Sequence, residues 1–424
     1  MLRSLSVRVL LALMAGLALG ALASAYAGDS AKPLIGGVEA AGQLWLNGLK
    51  MTVVPLIFSV MVTGVAGVAD AASTGRLAVK ALAWFVGLLL ASATISLLVS
   101  HGLYAVWPLG EAGAAALRAG AHAPPDHAQA AAGFADFLKT LAPANPVKAA
   151  AESNIPQLVV FAAFVGLAIT RLPPTPRRAL SELFDALAQA MIVIVRWVLL
   201  AAPLGVFALA LGVGSRAGVG AAGAIARYIV TVSASVSLVA LCAYALGMLA
   251  GRVSPRRWAR AVGPVQVAAF ATQSSLACLP AMIERSKDDL GVPDRVGGLV
   301  LPLAVSLFRL SSPAANMAVM MFVAQVYGLH PAPMQYVSGV LMALAVSMGG
   351  VGLPNQANFL VATIPIATAF GLPLELLPIL LAVEVIPDMF RTVATVTGDM
   401  AVTVILGRGE RATPATALPE RRAA

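Results

Sequence analysis

The feature that most constrains this chain is a series of apolar stretches, each about as long as a membrane is thick. Uninterrupted ones cover about 8–27, 45–69, 79–100, 155–170, 186–213, 225–250, 296–327 and 374–407, and two more, near 262–283 and 334–370, are broken in the middle. A helix needs roughly 20 apolar residues to cross the hydrocarbon core of a bilayer. With 59% hydrophobic and 11% charged residues and a mean hydropathy of +0.88, the 424-residue chain has too little polar surface to coat a water-soluble core. The expected class is an all-α polytopic membrane protein whose surroundings are a lipid bilayer.

A net charge of +9 could suggest a nucleic-acid partner, but the basic residues follow topology instead of lining one polar face. With the N-terminus inside, 18 of the 28 Lys and Arg residues fall on cytoplasmic segments, 7 lie outside, and Arg196, Arg309 and Arg391 lie within apolar stretches. An excess of Lys and Arg marks the cytoplasmic side. This predicts cytoplasmic N- and C-termini in a cytoplasmic (inner) membrane and no nucleic-acid role. The first 28 residues also fit a secretory signal, though their apolar run is long for one and reads better as the first span. The two cysteines, Cys242 and Cys278, sit in apolar context and indicate no disulfide. His101, His122, His127 and His330 fall on expected loops without metal-ligand spacing, and neither they nor Ser274 and Ser275 form a nucleophile–base pair, so no enzyme is expected.

The chemistry concentrates near the C-terminus. EVIPDMFRTVATVTGD, residues 384–399, puts Glu384, Asp388, Arg391 and Asp399 into one membrane-length helix. Each such group costs roughly 2.5–3.5 kcal/mol at a helix centre on insertion scales unless it faces protein or water. Counted from Asp388, Glu384 is at i−4, Arg391 at i+3, Thr392 at i+4, Thr395 at i+7 and Asp399 at i+11, which is one helical stripe. Glu384, nearer the helix end, fits either the site or the membrane interface. The broken stretches VGPVQVAAFATQSSLACLPAMI, with Pro280, and LMALAVSMGGVGLPNQANFLVATIP, with Gly349, Gly350, Gly352 and Pro354, fit re-entrant hairpins. Such backbone is tolerated at membrane depth only when buried in protein or lining a cavity, and paired interruptions point to a transporter's binding site. A further unwinding is expected at Ser311 and Ser312, ahead of Pro313.

These residues resemble the dicarboxylate/amino acid:cation symporters, which include the glutamate and aspartate transporters. The resemblance is carried by LKMTVVPLIFSVMVTGVA (49–66), FDALAQAM (184–191) with APLGVFAL (202–209), QSSLACLP (273–280), GGVGLP (349–354) and DMFRTVATVTGD (388–399). It implies eight transmembrane helices plus two re-entrant hairpins in an elevator-type homotrimer. Scaffold helices 1 and 2 would occupy 1–77, transport-domain helix 3 would occupy 78–107, and the outside loop with scaffold helices 4 and 5 would occupy 108–215. The rest of the transport domain (helix 6, hairpin 1, helix 7, hairpin 2, helix 8) would occupy 216–407, ahead of a cytoplasmic tail at 408–424.

In the family's last helix an aspartate binds the substrate's amino group, and an arginine three residues on, helped by a threonine, binds its side-chain carboxylate. Here these are Asp388, Arg391 and Thr392, with Thr395 where an asparagine is usual. The guanidinium's planar donors suit a carboxylate and a carboxylate suits an ammonium. The expected substrate is therefore a small acidic molecule, aspartate or glutamate first and a C4-dicarboxylate second. Ser274 and Ser275, Ser312, and Leu353 and Ala357 would complete the substrate site from hairpin 1, the broken helix and hairpin 2. No cofactor is expected beyond a coupling ion, Na+ or H+.

The cation ligands depart from the family. Phe308, Arg309, Leu310, Ser311 and Ser312 stand where it reads Asn-Met-Asp-Gly-Thr, and Trp84, Phe85, Leu88 and Leu89 stand where it has a Tyr/Thr/Ser sodium cluster. Asp399 remains, and a third site around Ser306, Ser347, Met348 and Gly350 rests largely on backbone. Arg309 beside Asp399 would act as a built-in cation, reducing or removing sodium coupling. The functional reading is a symporter importing an acidic amino acid or C4-dicarboxylate with a cation. The alternatives are a proton-coupled or uncoupled carrier, or a ligand-binding sensor that does not transport.

Overall fold

A computed structural model describes residues 5–26, 28–73, 75–121, 143–152, 154–217, 220–349 and 355–411. Among these, every regular element is helical and there is no strand. The chain opens with α1 (Leu5–Tyr26), α2 (Lys32–Ser73), α3 (Arg76–Val106) and α4 (Glu111–Ala121). It continues through α5 (Pro146–Ala151), α6 (Ile155–Thr170), α7 (Pro174–Leu200), α8 (Ala202–Ala217) and α9 (Gly220–Gly251). The C-terminal half holds α10 (Pro255–Thr272), α11 (Ser275–Asp288), α12 (Asp294–Leu307), α13 (Ser311–Tyr327), α14 (Pro333–Gly349), α15 (Asn355–Phe370), α16 (Leu377–Val383) and α17 (Val385–Arg411).

Five stretches among the described residues, Arg76–Val106, Pro174–Leu200, Gly223–Gly251, Asp294–Tyr327 and Val385–Glu410, are long and apolar enough to cross a membrane. Proline decides where several apolar runs divide. The run at 186–213 is two helices, α7 and α8, with Pro203 in the first turn of α8, where a missing N–H costs nothing. The run at 374–407 divides at Glu384, because Pro387 has no N–H to offer the carbonyl of Val383 four residues back. The expected outside connection starts later than His101, which lies within α3, and it holds the short helix α4; His122 and His127 lie outside the described residues.

Two sets of helices pack mostly among themselves. In the first, α1 lies along α8 while α2 packs on α6, α7 and α8. Small residues let α1 and α8 touch: a Cβ on Gly20 would lie 2.2 Å from the carbonyl oxygen of Leu211. Arg216 of α8 also grips Glu39 of α2 with two parallel bonds, Nη1 to Oε2 at 3.0 Å and Nη2 to Oε1 at 2.5 Å. In the second set, α17 is surrounded by α9, α10, α11, α12 and α13, and α3 packs against α13. Helix α13 is buried along nearly its whole length, which explains why it is apolar all round.

Candidate functional site

The polar stripe of α17 faces protein. Asp388, Arg391, Thr392, Thr395 and Asp399 are all buried, with Asp399 at 0% exposure, and Glu384 at 3% is inside the site and not at an interface. Arg391 does not reach for Asp388, one turn away. Its Nη2 lies 2.7 Å from Oε1 of Glu384, two turns back, and its guanidinium sits 6.0 Å from the ring of Phe359 in α15. Seven residues of helix rise roughly 10.5 Å, a gap that the arginine, leaning toward the N-terminus, and the glutamate side chain close together. The second oxygen of Glu384 accepts a bond from the hydroxyl of Tyr228 in α9 at 2.5 Å. Nε and Nη2 of Arg391 and Oε1 of Glu384 make no well-directed hydrogen bond, so the pair is a close charge contact and not an aligned fork.

The broken helix meets α17 beside Thr395 and Asp399. Residues Phe308–Leu310 are non-helical, and α13 resumes at Ser311. The expected break at Ser311–Pro313 therefore falls three residues earlier, and Pro313 sits in the first turn of α13, where proline is tolerated. Ser311 and Thr395 share a hydroxyl contact of 2.9 Å, and Ser312 accepts from Asn316 within α13. Two serines of α3 hold the break from behind: Ser92 donates to the carbonyl of Leu310 at 2.7 Å, and Ser96 donates to that of Ala314. Phe308 stacks flat on Phe85 with ring centroids 4.5 Å apart. Arg309 lies within electrostatic range of Asp388, Arg391 and Asp399, with Asp388 the strongest of its carboxylate neighbours. Neither oxygen of Asp399 accepts a hydrogen bond among the described residues, so Arg309 is near Asp399 without bonding to it.

Hairpin 1 turns at Gln273–Ser274. Gln273 takes a left-handed conformation (φ 54°), and Ser274 caps α11 by accepting from the backbone N–H of Ala277 at 3.2 Å. The turn precedes Pro280, which lies inside α11. Ser275 opens α11, and both serines are half-buried. Phe270 packs edge-on against Phe390 at 5.8 Å, next to Arg391, and Cys278 is an electrostatic neighbour of Asp399, so the turn lies along the α17 stripe. In hairpin 2, α14 and α15 pack together. Gly350 and Leu353 lie outside the described residues; Ala357 is in α15, whose Phe359 approaches Arg391. Of the remaining cation candidates, Ser306 is exposed and bonds its own helix at Pro302, Met348 is half-buried, and Ser347 is buried with a hydroxyl that has no partner.

Sequence reasoning did not find the pairing of Glu384, the part played by Tyr228, or the two supporting serines. Tyr228 did carry a signal: a tyrosine inside a membrane-length helix needs a partner for its hydroxyl.

Buried charge gathered where the Gln273–Ser274 turn, α15 and the broken helix approach α17, inside a bundle of apolar helices, is the arrangement of a membrane transporter. The sequence pattern of the sodium:dicarboxylate symporter family matches residues 5–408, and the chain belongs to that family. It is similar to the proton/glutamate-aspartate symporter of Escherichia coli (strain K12), 25% identical over 96% of this chain and 93% of that protein. It is also similar to the C4-dicarboxylate transport protein of Anaeromyxobacter sp. (strain K), 28% identical over 96% of this chain and 90% of that protein. The proton/sodium-glutamate symport protein of Bacillus subtilis (strain 168) is 23% identical over 96% of this chain and 92% of its own length.

Proposed function

We propose that the chain is a secondary active symporter that imports an acidic amino acid or a C4-dicarboxylate. The observation that carries this is the placing of Asp388 and Arg391 on one buried face of α17, where the Gln273–Ser274 turn, α15 and the broken helix come together. Asp388 takes the substrate's ammonium and Arg391 its side-chain carboxylate, with Thr392 and Thr395 alongside. The first-turn amides of α11 other than that of Ala277, which Ser274 caps, suit a second carboxylate. Ser312 adds a hydroxyl, and the family resemblance assigns Leu353 and Ala357 to the substrate site as well. The names of the relatives, which cover aspartate, glutamate and C4-dicarboxylates, support the same substrate classes.

The division of labour follows the packing. Helices α1, α2, α6, α7 and α8 form the scaffold, and α3 with α9–α17 forms the unit that moves, giving the eight spans and two hairpins of an elevator carrier. The protein works as a homotrimer in the cytoplasmic membrane with both termini inside.

The coupling ion is a proton. Sodium needs several oxygen ligands, and the stacked rings of Phe85 and Phe308 fill the place where the sequence departs from the family's sodium motifs. Any remaining sodium site draws on Asp399 or on the backbone around Ser306, Ser347, Met348 and Gly350, and Arg309 supplies fixed positive charge between Asp388 and Asp399.

Uptake into proteoliposomes of labelled aspartate, glutamate and succinate, under separate proton and sodium gradients, tests the assignment. Asp388→Ser is expected to lower aspartate uptake at least tenfold against succinate. A variant with unchanged preference means that Asp388 does not read the ammonium.

A further inference from the structure

The guanidinium assigned to the substrate is already occupied. Oε1 of Glu384 lies 2.7 Å from Nη2 of Arg391, Oε2 is held by Tyr228, and all three side chains are buried. A substrate carboxylate has to take the same guanidinium, so two carboxylates compete for one cation. Among the described residues the cluster holds three acidic groups, Glu384, Asp388 and Asp399, and two guanidiniums, Arg309 and Arg391. Adding an ionised substrate deepens that excess, and each uncompensated buried charge costs several kcal/mol. A protonated Glu384 makes no claim on Arg391. It becomes a hydroxyl donor, and the Tyr228 hydroxyl can turn to accept from it, since both groups serve in either role.

We propose that Glu384 is the site of the coupling proton. The proton enters with the substrate, neutralises Glu384 and frees Arg391 for the substrate carboxylate. After both are released inside, the ionised Glu384 closes on Arg391 again as a built-in substitute for the substrate, so the empty carrier returns with its arginine neutralised. This rests on the reading that Arg391 binds the substrate carboxylate.

Among the described residues, Glu384 is faced by Tyr228 of α9, with Tyr104 of α3 behind it, and by Arg391 on α17; Asp388 on α17 and Arg309 at the helix break complete the charged groups of the cluster around Arg391 and Asp399. Asp388 must stay charged to hold an ammonium. Asp399 has Arg309 as its charged neighbour and makes no hydrogen bond among the described residues, so its proton would not release Arg391. By reciprocity, a proton that strengthens substrate binding is itself held more tightly when substrate is bound.

The test uses the purified full chain in proteoliposomes, with labelled L-aspartate and succinate as probes and a pH-sensitive dye trapped inside. For the unaltered protein, an inward proton gradient without sodium should drive accumulation. Apparent affinity should rise by up to about tenfold per unit of acidification on the alkaline side, the slope of a single linked proton. In Glu384→Gln, which is always neutral, exchange of external for internal substrate should lose its pH dependence, and gradient-driven accumulation should fall to the level seen without a gradient. Glu384→Asp should keep accumulation with a displaced pH midpoint, which guards against reading a folding defect as lost coupling. Accumulation by Glu384→Gln under a proton gradient overturns the proposal, as does loss of exchange in a variant that elutes as the folded protein does. Sodium-driven, proton-independent uptake by the unaltered protein overturns it while leaving the symporter reading in place. If none of the acidic substrates moves under any gradient, the symporter reading fails and the proposal falls with it.

Discussion

Replacing Arg391 by methionine removes the charge and keeps most of the side-chain volume. Glu384, 3% exposed, then keeps the Tyr228 bond as its one polar contact among the described residues. Breaking a buried ion pair by deleting one partner costs roughly 3–5 kcal/mol, and the surviving tyrosine bond places Arg391→Met toward the lower end, at about 3 kcal/mol. Glu384→Gln is expected to be milder, because Arg391 has Asp388 one turn away as a second carboxylate. The double variant buries neither charge, and its amide can still bond to Tyr228, so it should lose only about 1–2 kcal/mol. The expected order of stability is therefore Glu384→Gln, then the double variant, then Arg391→Met.

Denaturant unfolding of substrate-free protein in detergent, run as a double-mutant cycle, measures this. The second substitution should recover about 1–2 kcal/mol from Arg391→Met, well beyond the roughly 0.3–0.5 kcal/mol within which independent sites add. Acidification should shrink the Arg391→Met penalty, since a carboxyl that carries a proton needs no counter-ion. Additive single losses would refute the reasoning, because they would mean that the 2.7 Å contact carries no coupling and that both groups find solvent.

Two packing predictions are independent of the charges. Gly398 lies where α17 crosses the helix break, and a Cβ there would meet Leu310 Cδ2 at 2.6 Å. Gly398→Ala should lose up to about 2 kcal/mol, overpacking outweighing the gain in helix propensity, and adding Leu310→Ala should cost less than the sum of the two; strict additivity in unfolding free energy would dismiss the clash. Gly205 of α8 lies under the Trp45 ring, 2.1 Å from where a Cβ would sit, and Trp45 is fixed by its Nε1 bond to the carbonyl of Val198 at 3.0 Å. Gly205→Ala should destabilise by about 1–3 kcal/mol, and an unchanged unfolding midpoint would show that the ring has room to move.

Hydropathy made the class of fold legible, and the stripe on α17 made the buried charge cluster legible, because membrane burial leaves ionisable side chains few places to be. The first turn was legible in place, since Gln273–Ser274 opens the QSSLACLP stretch expected to form the tip. The break in the next long helix was legible in kind and expected three residues late. Pro313 drew attention as the interruption, yet proline in a first turn removes no bond, and the chain unwinds at Phe308–Leu310, which no strong breaker marks. What fixes the second break is tertiary: Ser92 bonds the carbonyl of Leu310, and Phe85 stacks on Phe308.

The same distinction explains the charges. Helical spacing puts Arg391 one turn from Asp388 and two turns from Glu384, so sequence alone favours the nearer carboxylate. Pro387 interrupts the helix just after Glu384, and Tyr228, 156 residues earlier in the chain, holds that carboxylate in place. Arg391 follows the carboxylate that is anchored, which leaves Asp388 one turn away on the same buried face. In the proposed reading, an arginine answered by the carboxylate just ahead of its own helix is a receptor that is closed when empty. On that proposal, opening it requires something to discharge Glu384, and a proton does so without a ligand cage of oxygens, in keeping with the stacked rings of Phe85 and Phe308, which offer no oxygen ligand.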